Sequence, residues 1–137
     1  MEGEHRDIFG HIARNYDKLS GALTAGLDNI WRDRAVSEVS GYKNARVLDV
    51  ATGTGAIALM IAKRFKDYKV TGIDLNREML RVAKEKSAAV KNVRYLEGDA
   101  ESLKLKPGSY DVVNLQVIHK FFILILIIIA TGICIAE

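Results

Sequence analysis

The sequence predicts an α/β fold: about four parallel strands with helices on the sheet faces, preceded by N-terminal helices. Three observations predict it. From Arg46 onward, short β-branched segments alternate with segments whose apolar residues recur at helical spacing. A glycine turn, Gly53-Thr54-Gly55, follows the first strand. Asp49, Asp74 and Asp99 stand at the ends of the first three strands, 25 residues apart, so each interval is one strand-plus-helix unit.

The elements follow in order. Residues 7–40 carry Ile8, Phe9, Ile12, Ala13, Tyr16 and Leu19, then Leu27, Ile30, Trp31, Ala35 and Val36. Gly21, Gly26 and Gly41 punctuate that run, which predicts two or three short helices. Arg46–Val50 is a buried strand leading into the turn Ala51–Gly55, and Ala56–Phe65 is a helix. Lys69–Ile73 is a second strand ending at Asp74. Asn76 is placed to cap a helix running to about Val90, with Glu78 in its first turn. Val93–Leu96 is a third strand ending near Gly98-Asp99, Pro107-Gly108 is a turn, and Tyr110–Leu115 is a fourth strand. Strands joined by helical crossovers make a parallel, Rossmann-like sheet. The chain divides into an N-terminal helical segment (1–42), a cofactor-binding Rossmann-like core (43–116) and an apolar tail (117–137).

Composition narrows the chemistry. A length of 137 residues suits one domain with one core. An apolar content of 49% with a net charge of only +3 excludes disorder. The single cysteine, Cys134, forms no internal disulfide and lies in the apolar tail, so neither a metal site nor thiol chemistry is expected. Lys63, Lys66, Lys84, Lys86, Lys91, Lys104 and Lys106 are scattered without interleaved aromatics. They read as solvated faces, and no nucleic-acid partner is expected. The start, Met1 to Asp7, is charged and lacks the apolar run of a secretion signal, which predicts a cytoplasmic protein.

Ligands of such sheets sit beyond the carboxyl ends of the strands, where the strand order reverses. Gly53 and Gly55 let the backbone approach a ligand without a Cβ in the way. The helix that follows presents its free N–H groups. Asp74 can accept both hydroxyls of a ribose. Asp99 can accept from an exocyclic amine such as that of adenine, with the Ala100 N–H free to donate to the ring and Leu75 as an apolar wall. Gly53-Thr54-Gly55-Ala56-Ile57-Ala58 also passes the dinucleotide pattern G-x-G-x-x-G/A, so a NAD(P)-binding oxidoreductase is the rival reading. Asp49 argues against it: four residues before the glycines it suits an amino group and would repel a pyrophosphate. Together these residues favour S-adenosylmethionine.

Val47–Ala56 (VLDVATGTGA) resembles the glycine motif of class I methyltransferases, and specifically of the ubiquinone/menaquinone biosynthesis C-methyltransferases. Phe9-x-x-Ile12-Ala13-x-x-Tyr16-Asp17-x-Leu19, Gly26-Leu27-Asp28-x-x-Trp31-Arg32, Gly72-Ile73-Asp74 with Glu78-Met79-Leu80, and Gly98-Asp99-Ala100-Glu101-x-Leu103 continue the likeness in order. The resemblance implies S-adenosylmethionine contacts at Thr54, Asp74, Asp99 and Ala100, and a loop shaped by Asp49, Gly53 and Gly55. It also implies N-terminal helices covering the site and a lipophilic quinol as methyl acceptor. The chain departs from the family at Ala56, where the family usually has Asp. It departs again after the fourth strand, where Asn114 to His119 replace a loop of the form F-G-x-R-N. No residue is therefore assigned as the catalytic base, His119 included. The family fold has seven strands and this chain supplies four, so it is expected to be C-terminally truncated or divergent, and turnover is in question.

Residues 121–137 hold 14 apolar residues in 17 and one charge, Glu137. As a helix, Phe121–Ile135 would span roughly 22 Å, short of a hydrocarbon core of about 30 Å. Three placements answer to this composition: packing over the exposed sheet, an apolar helix after the fourth strand, or a peripheral membrane anchor. A third functional reading, beside methyltransferase and oxidoreductase, is a non-enzymatic remnant that binds cofactor or pairs into a homo-oligomer through its open sheet edge.

Overall fold

A computed structural model describes residues 2–115, with side chains from residue 12 onward. The apolar tail, its membrane contact and His119 lie outside the described residues. The elements are α1 (Glu2–Leu23), α2 (Leu27–Glu38), β1 (Arg46–Val50), α3 (Ala56–Arg64), β2 (Lys69–Asp74), α4 (Arg77–Lys86), β3 (Val93–Glu97) and β4 (Val112–Leu115). The four strands form one parallel sheet in the order β3-β2-β1-β4. The order therefore reverses between β1 and β4.

This topology fixes where everything else lies. The connections β1-α3-β2 and β2-α4-β3 step the same way along the sheet, so right-handed crossovers put both helices on one face. The return from β3 to β4 must cross the other face, and residues 98–111 do so without a helix. The two faces accordingly have separate cores. On the helix face, Val47 and Val70 pack with Ala58, Ile61 and Ala62 of α3, Leu80 and Ala83 of α4, and Val36 of α2. On the other face, Leu103 and Tyr110 of the return segment lie on Leu48, Val50 and Ile73. Every one of these strand residues is nearly or wholly buried, which explains the continuous β-branched runs.

Three local expectations are met in detail. Asn76 caps α4 by accepting from the N–H groups of Glu78 (3.0 Å) and Met79 (3.1 Å). Gly108 adopts φ 72° in the turn after Pro107, and Ser109 N–H closes it on the Lys106 carbonyl. Gly26 is left-handed between the two N-terminal helices. The N-terminal region differs from expectation in one respect: α1 is a single 22-residue helix with Gly10 and Gly21 inside it. It packs along α4, and that tertiary support outweighs the cost of two interior glycines, about 1 kcal/mol each. α4 in turn stops at Lys86, short of Val90.

The fourth strand is tied to the first by a clamp. Asp111 accepts from the backbone N–H, Nε and Nη2 of Arg46 at 2.8, 3.1 and 2.9 Å. These bonds, the side-chain ones first, hold its carboxyl well below the usual 3.8, down to about 2. A depressed folded-state pKa stabilises the fold above the unfolded value and stops doing so as pH falls through the folded one. The expected result is that wild type melts above Asp111→Asn at ~pH 5. The gap should shrink between 3.8 and about 2, and vanish below that. Thermal melts of both proteins across that range check it, and a gap that ignores pH would contradict the clamp.

Among the described residues no helix is long and apolar enough to cross a membrane. Arg46, Lys66, Lys91, Arg94, Lys104 and Lys106 gather around a cleft of about 730 Å³ near the amino ends of the strands. Four of the seven lysines named from the sequence, Lys66, Lys91, Lys104 and Lys106, thus line one cleft. This cleft is remote from the carboxyl edge, where the glycine turn lies.

Candidate functional site

The carboxyl edge of the sheet is laced together by backbone and carboxylate groups. Beyond β1 the chain turns sharply, with positive φ at Ala51 (56°), Gly53 (60°) and Gly55 (74°). Ala51 pays for this in conformational strain of about 1 kcal/mol or more, because its Cβ crowds the carbonyl in the left-handed region. Thr52 N–H extends the ladder to the Ile73 carbonyl (2.9 Å). Gly53 N–H donates to Asp74 Oδ2 (2.8 Å), and Asn76 N–H to Asp74 Oδ1 (2.9 Å). Gly98 N–H donates to the Asp74 carbonyl (3.1 Å). Asp74 thus joins the turn after β1, the start of α4 and the end of β3.

Asp49 sits beneath the turn, 3% exposed. Thr52 Oγ1 donates to its Oδ2 (2.6 Å) and Asn114 Nδ2 to its Oδ1 (2.7 Å). Asn114 reaches it because the β1–β4 register pairs the two residues. The buried carboxylate spans the order switch and gives it negative potential. Such a field favours a cationic ligand group and opposes a phosphate.

Gly55 meets a neighbour that sequence reasoning missed. A Cβ there would lie 2.5 Å from the Tyr95 hydroxyl oxygen, and one on Gly72 would lie 2.7 Å from Tyr95 Cδ1. The Tyr95 ring fills the space both glycines leave. Its hydroxyl pairs with Ser87 Oγ (2.9 Å) and reaches the Gly55 carbonyl (3.4 Å). Burial raises its pKa above 10, so the phenol stays neutral. Gly72, a glycine inside a β-branched strand, was the available signal, since such residues mark close approach.

Thr54 is 4% exposed and donates to Asp17 Oδ1 of α1 (2.8 Å). Leu75 follows Asp74 with 63% of its surface open. Asp99 accepts from Glu101 N–H (2.9 Å) and Ala100 is exposed beside it. The eight predicted residues therefore fall into two groups. Asp49, Gly53, Thr54, Gly55 and Asp74 belong to one knot around the turn. Leu75, Asp99 and Ala100 stand at the adjacent strand ends. Among the described residues, no group of His, Cys, Asp and Glu could hold a metal ion.

Residues 2–118 match the ubiE/COQ5 methyltransferase family. The chain belongs to that family. It is 40% identical over 113 residues to a demethylmenaquinone methyltransferase of Chlorobaculum tepidum, covering 80% of this chain and 45% of the relative. It is 35% identical over 115 residues to a demethylmenaquinone methyltransferase of Staphylococcus aureus, covering 83% of this chain and 47% of the relative. Among solved structures it resembles a SAM-dependent methyltransferase from Aquifex aeolicus, with 28% identity and a TM-score of 0.53 over 61% of this chain and 46% of that one. The fold is thus a partial Rossmann-like methyltransferase sheet. The family member in hand spans about half the length of the curated relatives it matches. No comparison supports the oxidoreductase alternative.

Proposed function

We propose that this chain binds S-adenosylmethionine across the carboxyl edge of the sheet, and that the protein C-methylates a quinol-type ring in menaquinone or ubiquinone biosynthesis. The observation that carries the reading is the knot at the order switch. It joins the glycine turn, a buried Asp49 and a partly exposed Asp74, contributed by segments far apart in sequence. Family membership supports the reaction class, and the names of the relatives support a demethylmenaquinone-like acceptor.

The residues present suit the cofactor. Asp74 is pinned by two N–H groups at the carboxyl edge, where a carboxylate suits the ribose hydroxyls as an acceptor. Leu75 offers an open apolar surface to the adenine, with Asp99 and the Ala100 N–H at its polar edge. Asp49 lends negative potential where the amino and sulfonium cations would lie. When bound, the cofactor supplies an electrophilic methyl group on a cationic sulfur. Gly53, Thr54 and Gly55 hold the turn against the amino-acid end. Residues 1–42 cover the site, residues 43–116 carry the cofactor, and the acceptor is oriented over the methyl group for in-line attack. A lipophilic acceptor reaches such a site from a membrane, and the apolar residues of 117–137 suit a peripheral contact there. Protein not engaged at the membrane is cytoplasmic, and β4, one of the two edge strands among the described residues, suits pairing with a second copy.

Calorimetry with S-adenosylhomocysteine tests the proposal. A saturable one-to-one heat is expected, with none from NADH. No heat from the former and binding of the latter would overturn it.

A further inference from the structure

Asp17 is a junction of four parts of the chain. From α1 its carboxylate accepts the Thr54 hydroxyl (2.8 Å) and the ammonium of Lys86, the last residue of α4 (2.5 Å). Arg32 of α2 lies 3.6 Å from it and pairs at 2.7 Å with the buried Asp28, which also accepts from Ser20 of α1 (2.9 Å). Lys86 reaches further, donating to the Thr54 carbonyl (3.1 Å) and to its hydroxyl (3.4 Å). The glycine turn is therefore gripped from two sides. Asp74 holds Gly53 from the sheet, while Asp17 and Lys86 hold Thr54 from the helices.

The second grip has a particular mechanical meaning. A turn with three residues at positive φ has many accessible conformations, and glycines add to them. Fixing the Thr54 carbonyl sets the plane of the peptide that leads into Gly55 and α3. Fixing its hydroxyl makes that plane depend on where α1 lies. Thr54 and Asp17 are 37 residues apart, and Lys86 and Asp17 are 69 apart, so local sequence does not impose the arrangement. These are charge-assisted bonds between half-buried groups, stronger than exposed pairs.

We propose that Asp17 and Lys86 are positioning residues, a latch through which docking of the N-terminal helix sets the glycine turn and hence the affinity for cofactor. The ligand half of this inference rests on the functional reading above. The Asp17 carboxyl is ionised at working pH. Burial pushes the Asp17 carboxyl up, but the bonds from Lys86 and Thr54 and the charges of Lys86 and Arg32 outweigh it and hold it below 3.8.

The test uses the full chain with Asp17→Asn, Lys86→Met, Thr54→Val and Thr54→Ser. Hydrogen exchange is followed without ligand, and S-adenosylhomocysteine binding by calorimetry. The first three variants should exchange the 52–56 amides about tenfold faster and bind about tenfold more weakly, while β2 and β3 amides exchange as in wild type. Thr54→Ser keeps the hydroxyl that Asp17 accepts and should exchange the 52–56 amides as wild type does. Unchanged exchange and affinity in Asp17→Asn and Lys86→Met would overturn the latch, as would loss of protection spread evenly over β2 and β3. If wild type binds no S-adenosylhomocysteine, the functional reading and the ligand half fall together, and the exchange comparison still decides the latch.

Discussion

Replacing Asp74 with alanine is expected to weaken S-adenosylhomocysteine binding by about a hundredfold, or about 2.7 kcal/mol. Two losses add. The ribose hydroxyls lose a charged acceptor, and hydrogen bonds to charged groups contribute about 1.5–3 kcal/mol. The Gly53 and Asn76 N–H groups also lose the carboxylate they share, which frees the turn that is meant to meet the ligand. Asp74→Asn should fall nearly as far, because an amide has one acceptor oxygen for two competing N–H groups and turns a donor toward one of them. Calorimetry of the three proteins checks this. An unchanged affinity in Asp74→Ala would contradict the assigned role.

The second large effect is on stability. Gly55→Ala should destabilise the fold by about 2–5 kcal/mol, combining left-handed strain of about 1–2 with overpacking of about 1–3. Tyr95 has little room to yield, since its hydroxyl is held by Ser87 and its ring also lies against Gly72. Gly72→Ala carries no such backbone strain but brings a Cβ to 2.7 Å from the ring and 2.8 Å from Thr52 Oγ1. It should cost about 1–3 kcal/mol and displace the hydroxyl that Asp49 uses. Thermal midpoints should fall on the order of 10 °C for Gly55→Ala and less for Gly72→Ala. Equal, small shifts in both would mean that the ring is not the packing element it is taken to be.

The sheet and its edge were legible in the sequence because their signals are local. Alternation of β-branched and amphipathic segments marks strands and helices, Asn76 announces a helix start, and the even spacing of Asp49, Asp74 and Asp99 places them on one edge. What escaped depends on contacts through space. The unbroken α1 exists because α4 supports it, against the local message of its glycines. Lys86 resembles any solvated lysine until Asp17 arrives from 69 residues away. Thr54, read as a ligand contact, has its hydroxyl directed to α1, and the space at Gly55 belongs to Tyr95. A polar Asn114 in a short apolar strand was the one hint of a partner for Asp49.

The placement of β4 beside β1 also orders events in time. Arg46 meets Lys69 on one side early in the chain, but on the other side it waits for Asp111, 65 residues on. Closing the longer loop costs roughly 1 kcal/mol more in chain entropy than closing the shorter one. Chain entropy therefore favours pairing of β1 with β2 ahead of its pairing with β4. In that order, the Arg46–Asp111 clamp and the bond from Asn114 to Asp49 belong to the later step. Until that moment the molecule has a sheet but no switch point.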